Sequence, residues 1–294
     1  MKFSNHPTVM DQDFIRTEAE ENDLKALPSI PEFYADQEIF ISGGSGFMGK
    51  VLIEKLLRSC SRLKTIYVLM RPKKGKTIRE RLEVLTNLKL FEPLRKSNLS
   101  AFDKLVAVAG DVTELGLGLS SSDVRLMQNV SIVFHSAASV RFDDSLTYAV
   151  LMNTRGTREM VKFAENLVNI KVMMHVSTTY CNTHHSVIEE EIYPPLADWK
   201  KTIKIAENMD EDIINILTPK YSSFMPNTYT FTKGLAEQVI NDYKHKVPLV
   251  LFRPSIVISA MREPLPGWMD NFNGPVGLLV GSGVGEFVIR LWKF

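Results

Sequence analysis

The sequence predicts an α/β protein built on a doubly wound parallel sheet. Three observations predict it. Short β-branched runs alternate with longer helical patterns from Gln37 onward, most of those runs are apolar almost throughout, and a glycine-rich turn joins the first run to the first helical pattern. Alternation of that kind builds βαβ units, and strands covered by helices on both faces lose the polar alternation of half-exposed ones. With 294 residues and 45% hydrophobic content, the chain can bury one large core, with or without a small appendage.

The first 36 residues hold eight acids against three bases, with Pro28 and Pro31 near the end. They read as an acidic flexible tail, without the apolar core of a signal peptide. A single α/β domain is then expected over 37–294. Candidate strands are 38–42, 65–70, 105–109, 131–134, 171–177 and 248–252, and helical patterns include 46–58, 146–166 and 228–243. In the last of these, Ala236, Val239, Ile240 and Tyr243 recur at helical spacing. Between Cys181 and Asn227 the rhythm breaks. A structureless loop of that length does not suit a compact domain, so about 182–226 is expected to form a helical insertion that shapes a substrate cleft. An amphipathic piece at 203–217 supports that expectation. Residues 255–294 are expected to be a partial substrate-binding region, and 275–284 is too short and glycine-rich to span a bilayer.

Composition narrows the partners. Net charge is +1 from 35 basic and 34 acidic residues, which argues against nucleic acid and against an anionic membrane surface. Cys60 and Cys181 are too few and too far apart for a disulfide framework or a CxxC site, and fit a reducing, cytoplasmic compartment. No metal site is predicted.

The turn Ser42-Gly43-Gly44-Ser45-Gly46-Phe47-Met48-Gly49 spaces its glycines at 43, 46 and 49. Glycines there allow a tight turn and close backbone approach, and the helix N-terminus that follows offers free N–H groups to a pyrophosphate. Placed between a strand and a helix, it marks the first βαβ unit of a Rossmann dinucleotide-binding domain, with Gly43, Ser45, Gly46, Phe47, Met48 and Gly49 at the cofactor. An NAD site wants an acid about 20 residues further on, yet Cys60 to Arg79 contains none. The second strand ends instead in Met70-Arg71-Pro72-Lys73-Lys74, where Arg71, helped by Lys74, is placed to pair with a 2′-phosphate. NADPH is therefore the expected cofactor. Asp111 and Val112 follow the third strand, with Asp111 set either to reach the adenine or merely to close a turn. Ser136, Ala137 and Ala138 follow the fourth, where small side chains let a dinucleotide lie against the backbone.

Tyr229 and Lys233 stand four residues apart on a helical pattern, about 400° of turn, so they leave one face together. A tyrosine, with a reference pKa of about 10, needs help to act as an acid near neutrality, and an adjacent ammonium is expected to lower that pKa. The preceding strand ends in Ser177-Thr178-Thr179, hydroxyls at the carboxyl edge of the sheet where ligands bind. One of them can hold a substrate carbonyl and its developing oxyanion.

Together these elements resemble the extended short-chain dehydrogenase/reductase superfamily, and within it the alcohol-forming fatty acyl-CoA reductases. The resemblance is carried by the glycine loop with Lys50, by Val68–Lys73, by His135-Ser136-Ala137-Ala138-Ser139-Val140-Arg141-Phe142-Asp143, and by Asn153-Thr154-Arg155-Gly156-Thr157. It is carried further by Tyr193-Pro194-Pro195-Leu196-Ala197-Asp198-Trp199, by Pro226–Lys233, by Arg253-Pro254-Ser255-Ile256-Val257 and by Glu263–Trp268, over about 39–285. It implies that long-chain acyl-CoA is reduced by two NADPH through an aldehyde to a fatty alcohol, a precursor of waxes and ether lipids, with release of CoA. It implies that Tyr229 is the acid, that Lys233 is its partner and a ribose ligand, and that Thr178 holds the carbonyl, with Ser177 and Thr179 as rivals. It adds Asn153, Pro254 and Ile256 to the cofactor site. It further implies a member that stops short of the family's C-terminal part, which often associates with membranes, and a place on the cytosolic face of peroxisomes or endoplasmic reticulum. Two other readings stay open: a related reductase acting on a smaller carbonyl, and a truncated NADP-binding protein without catalysis.

Overall fold

The computed structural model describes residues 27–73, 75–222 and 225–283. Its centre is a six-stranded parallel sheet formed by β1 (Glu38–Ser42), β2 (Thr65–Met70), β3 (Leu105–Ala109), β4 (Ile132–His135), β5 (Val172–Val176) and β6 (Leu249–Phe252). Their spatial order is β3-β2-β1-β4-β5-β6. The order reverses between β1 and β4, which opens a crevice at the carboxyl ends of these two strands. Each expected strand is present within a residue or two of its expected bounds.

The helices are α1 (Ile30–Phe33), α2 (Phe47–Ser59), α3 (Ile78–Thr86), α4 (Glu92–Ser97), α5 (Ser121–Leu126), α6 (Leu146–Ala149), α7 (Gly156–Glu165), α8 (Trp199–Asn208), α9 (Glu211–Tyr221), α10 (Thr228–Tyr243) and α11 (Pro275–Gly283). They cover both faces of the sheet. Alternate residues of one strand serve opposite layers, because successive side chains point to opposite faces. Ile39 and Ile41 pack with Ile53, Leu56 and Leu57 of α2, whereas Phe40 packs in the layer of Met160 and Val161 of α7 and Phe231, Leu235 and Val239 of α10. Every residue of β1 is buried, and its three central residues, Ile39, Phe40 and Ile41, are all apolar.

Three expectations change. The segment 146–166 is not one regular helix: a π-helical stretch, Val150–Arg155, separates α6 from α7, and that wider turn carries Asn153 into the gap beside α10. The amphipathic piece of the insertion breaks at Met209–Asp210, where Asp210 accepts hydrogen bonds from the backbone of Asp212 and Ile213 and starts α9 afresh. Trp199, Ile203 and Ile214 of the insertion are buried in the same layer as α10, so the insertion is part of the core. The expected tail gives way to structure before Gln37, since Ile30–Phe33 is capped by Ser29 and Glu32 and the Asp36 N–H bonds the Arg62 carbonyl at 2.9 Å. The preceding residues lie outside those described.

Candidate active site

At the crevice, β1 passes into α2 through the glycine turn. Gly43 has φ +76°, and a Cβ there would lie 2.6 Å from the Ala137 nitrogen and 2.7 Å from the Ser136 carbonyl carbon. A Cβ on Gly49 would lie 2.2 Å from the Gly43 oxygen. The first glycine lets the turn pass against the loop after β4, and the third lets α2 close onto the turn. α2 begins at Gly46 without a side-chain cap, so the N–H groups of Phe47, Met48 and Gly49 face outward at the positive end of the helix dipole. Ser45 and Gly46 are exposed at the rim. Side chains at Gly43 or Gly49 would collide with this backbone, so glycine lets the turn close tightly in front of the helix N-terminus, an arrangement that fits a pyrophosphate.

The corner expected to meet the adenosine lies at the ends of β2 and β3. Arg71 is well exposed, and its Nε stands 3.9 Å from Asp111 Oδ2. The other Asp111 oxygen accepts from the backbone and hydroxyl of Thr113 at 2.9 and 2.8 Å. Asp111 thus closes a turn, one of its two expected roles, and leans on Arg71. Asp111, just past the end of β3, is the carboxylate that stands nearest Arg71, and 3.9 Å is long for an ion pair. Val112 is buried under α7 and serves the core. Lys74 lies outside the described residues. Arg81, which sequence reasoning passed over, donates to the Arg71 carbonyl and brings a second guanidinium to this corner.

The loop after β4 is fastened from both ends. Ser136 Oγ donates to the Ser42 carbonyl at 3.0 Å. Asn153, expected to touch the cofactor, is buried, and its amide bridges elsewhere: Oδ1 accepts from Ser139 N at 2.9 Å, while Nδ2 donates to Ser139 O at 3.2 Å and Thr232 Oγ1 at 3.0 Å. It ties the loop carrying Ala137 and Ala138 to the helix carrying Tyr229 and Lys233.

α10 starts at Asn227, whose side chain caps Thr230 N at 2.9 Å, so Tyr229 lies in its first turn, at the carboxyl edge of β5. Burial raises the Tyr229 pKa, and the Thr178 hydroxyl beside it pulls the other way. The expected lowering by Lys233 does not occur. The buried Lys233 ammonium is drawn back to the end of β5, donating to the Val176 carbonyl at 2.6 Å, with His175 Nε2 at 3.3 Å. Neither acceptor carries a charge, so desolvation brings the lysine down to about 8. His175 is itself held well below its usual value by burial and by Lys233, and it acts as a neutral acceptor. His135, given no catalytic part, is enclosed between Ser42 Oγ at 2.7 Å and Thr157 Oγ1 at 3.0 Å.

The three neighbouring hydroxyls separate by their partners. Ser177 Oγ donates to Glu237 at 2.6 Å. Thr179 Oγ1 turns to the Pro254 carbonyl at 3.5 Å. Thr178 is the one beside Tyr229. Ile256 lies exposed past the end of β6. Three further contributors escaped sequence reasoning. Glu237 was legible as the next four-residue step after Tyr229 and Lys233. Arg253 stood within a quoted motif, without a role. Trp268 stacks on Phe47 at 5.3 Å with 10° between the rings, although 221 residues separate them, and no local signal announces that contact.

A parallel sheet in this strand order, with a glycine turn at its switch point, defines a nicotinamide-dinucleotide-binding domain. Residues 41–291 match the NAD-binding family model described as "Male sterility protein", and the chain belongs to that family. The match runs past residue 285, where the resemblance was expected to end. Fatty acyl-CoA reductase 1 of Gallus gallus is 44% identical over 262 residues, and the Homo sapiens protein of the same name is 44% identical over 262; each alignment covers 88% of this chain and 50% of the relative. Drosophila melanogaster fatty acyl-CoA reductase wat is 42% identical over 274 residues, covering 92% and 52%. The chain spans about half the length of the curated relatives it matches. Among solved structures, the terminal R domain from the myxalamid PKS-NRPS pathway superposes with TM-score 0.60 at 24% identity over 84% of this chain and 55% of that one. Bordetella bronchiseptica WbmG in complex with NAD superposes with TM-score 0.52 at 19% identity over 85% and 61%. These two share the fold. No helix among the described residues is long and apolar enough to cross a membrane.

Proposed function

We propose that this chain is the cofactor-binding and proton-donating part of an NADPH-dependent fatty acyl-CoA reductase, which converts long-chain acyl-CoA to fatty alcohol by way of the aldehyde and releases CoA. The observation that carries the reading is the meeting of Thr178 and Tyr229 at the carboxyl edge of β5, with Lys233 one turn behind, in a chain whose relatives bear that name.

NADPH, held by the α2 N-terminus and by Arg71 at its 2′-phosphate, supplies the hydride when bound. The chain's own residues do the rest. Thr178 donates a hydrogen bond to the substrate carbonyl and steadies the oxygen as charge grows on it. Tyr229, kept protonated by burial, delivers its proton to that oxygen. Lys233, released from Val176 and His175, would help hold the nicotinamide ribose and would stabilise the phenolate left behind. After the first reduction the hemithioacetal hydroxyl would give up its proton as the C–S bond breaks, CoA leaving as the thiol. The same three groups would then serve the aldehyde with a second NADPH and a proton regained from solvent. Cytosolic operation at peroxisomal or endoplasmic-reticulum membranes accompanies this reading through the resemblance alone.

Incubation of the chain with NADPH and palmitoyl-CoA, followed by assay of the extracted lipid for hexadecanol, tests the proposal. Cofactor consumption with hexadecanol formation is expected. Cofactor binding with no reduction of any acyl-CoA would sink it.

A further inference from the structure

One carboxylate gathers the groups around the site that the mechanism leaves idle. Glu237 lies one turn past Lys233 and two past Tyr229, on their face of α10, and its side chain is 3% exposed. Its Oε1 accepts from Ser177 Oγ at 2.6 Å and Arg253 Nε at 2.9 Å, with Cys181 Sγ at 3.1 Å; its Oε2 accepts from Arg253 Nη2 at 2.8 Å. Arg253, just past β6 and 10% exposed, sends further N–H groups to the carbonyls of Glu189 at 3.1 Å and Glu191 at 2.7 Å, and stands 5.7 Å from the Tyr193 ring.

Those partners bracket Thr178. Ser177 precedes it directly. The Cys181 thiol reaches back to the Thr178 carbonyl at 3.0 Å. The opposite end of the network holds the first part of the insertion. We infer that Glu237 and Arg253 are positioning residues: they lock Ser177 and Cys181, and through them the Thr178 hydroxyl, against α10 at a set place beside Tyr229, and they anchor residues 189–193 on the substrate side. A buried apolar pair would fill the same space at less desolvation cost. What it would lack is direction, because a multiply bonded carboxylate fixes several donors at once. The inference rests on the reductase reading for its catalytic consequence, while the geometric claim can be read separately.

The test uses the full chain with its tyrosines labelled at the ring carbon bearing the hydroxyl. The Tyr229 resonance is assigned by its loss in Tyr229→Phe. In Thr178→Val that resonance moves, because the hydroxyl beside it is gone. Glu237→Gln and Ser177→Ala are expected to move it in the same direction, and to lower kcat with palmitoyl-CoA by about tenfold or more, with the NADPH Kd changed less than about twofold. Arg253→Lys keeps the charge and loses the fork, so it is expected to raise the acyl-CoA KM more than it lowers kcat. If Glu237→Gln does not fold, Ser177→Ala and Arg253→Lys still decide, since neither removes the buried carboxylate. Variants that melt earlier yet leave the Tyr229 resonance where the parent has it would overturn the inference and reduce the pair to a fastening. A parent chain that reduces no acyl-CoA would remove the reductase reading alone, and the resonance would still judge the pair.

Discussion

Lys233 is a buried cation with only uncharged acceptors. Its ammonium is buried with only a carbonyl and a neutral imidazole to receive it, and burial lowers its pKa to about 8. Between that value and the ordinary lysine value of 10.5, the unfolded chain holds a proton that the folded one has released. Stability is therefore expected to rise with pH across that window, and Lys233→Met should flatten the rise; melting curves from pH 7.5 to 10.5 check it. Cofactor binding should run the other way, weakening as pH climbs through about 8, because a neutral lysine no longer attracts the dinucleotide. Tyr229 is the proposed proton donor. Tyr229→Phe keeps the ring and removes only the acid, so turnover is expected to fall about 10²- to 10⁴-fold with NADPH binding nearly intact. A variant retaining a tenth of parental activity would take Tyr229 out of the mechanism. At the other end of the cofactor, the loose Arg71–Asp111 pair predicts a preference for NADPH over NADH that Arg71→Ala removes. Titrating both cofactors against both proteins measures it.

The elements earn their places by what they bring to the carboxyl edge. α2 can start where it does only because Gly43 and Gly49 carry no side chain. Gly49→Ala would set a methyl 2.2 Å from the Gly43 oxygen, well inside any contact distance, and the turn must move away from the pyrophosphate position. That variant is expected to lose NADPH binding while the sheet persists, seen as unchanged far-ultraviolet circular dichroism beside an absent titration. Tight binding by Gly49→Ala would mean that the cofactor sits elsewhere. The π stretch before α7 has the opposite character. It gives up regular helix geometry, a kind of departure that recurs at functional sites, and in return Asn153 joins the loop after β4 to Thr232 on α10.

Across the whole molecule, residues far apart in sequence are brought onto the cofactor helix. Beyond β6 the chain returns to α2: Trp268 stacks on Phe47, Asp270 pairs with Lys50, and Glu263 pairs with Lys55 and with Arg58 Nη2 at 2.9 Å. Phe47 is the first residue of the helix whose N-terminus is proposed to hold the pyrophosphate, and Trp268 stacks on it. Its fluorescence is expected to change on NADPH addition, and Trp268→Phe should remove most of that change while Trp199 keeps its signal. An undiminished change in Trp268→Phe would place the contact out of reach of the cofactor.

Sequence alone determined the six strands, the glycine turn, the tyrosine–lysine helix and the existence of a helical insertion. These are written in local patterns: largely apolar runs for the strands, glycines where a Cβ would collide, and four-residue steps for a shared helix face. Most of the strands are well covered, although Val250 and Phe252 of β6 are exposed. Tertiary structure decided everything that depends on which partner a polar group finds. Asp111 turned to Arg71 and Thr113, and Lys233 to β5 instead of Tyr229. Of three adjacent hydroxyls, two were taken by Glu237 and Pro254, leaving Thr178 beside the tyrosine. Hydrogen-bond partners across a parallel sheet come from residues separated by tens to hundreds of positions, and a buried polar group must take whichever partner the packing delivers. Periodicity reports the face a side chain occupies; only the assembled layers determine what waits for it there.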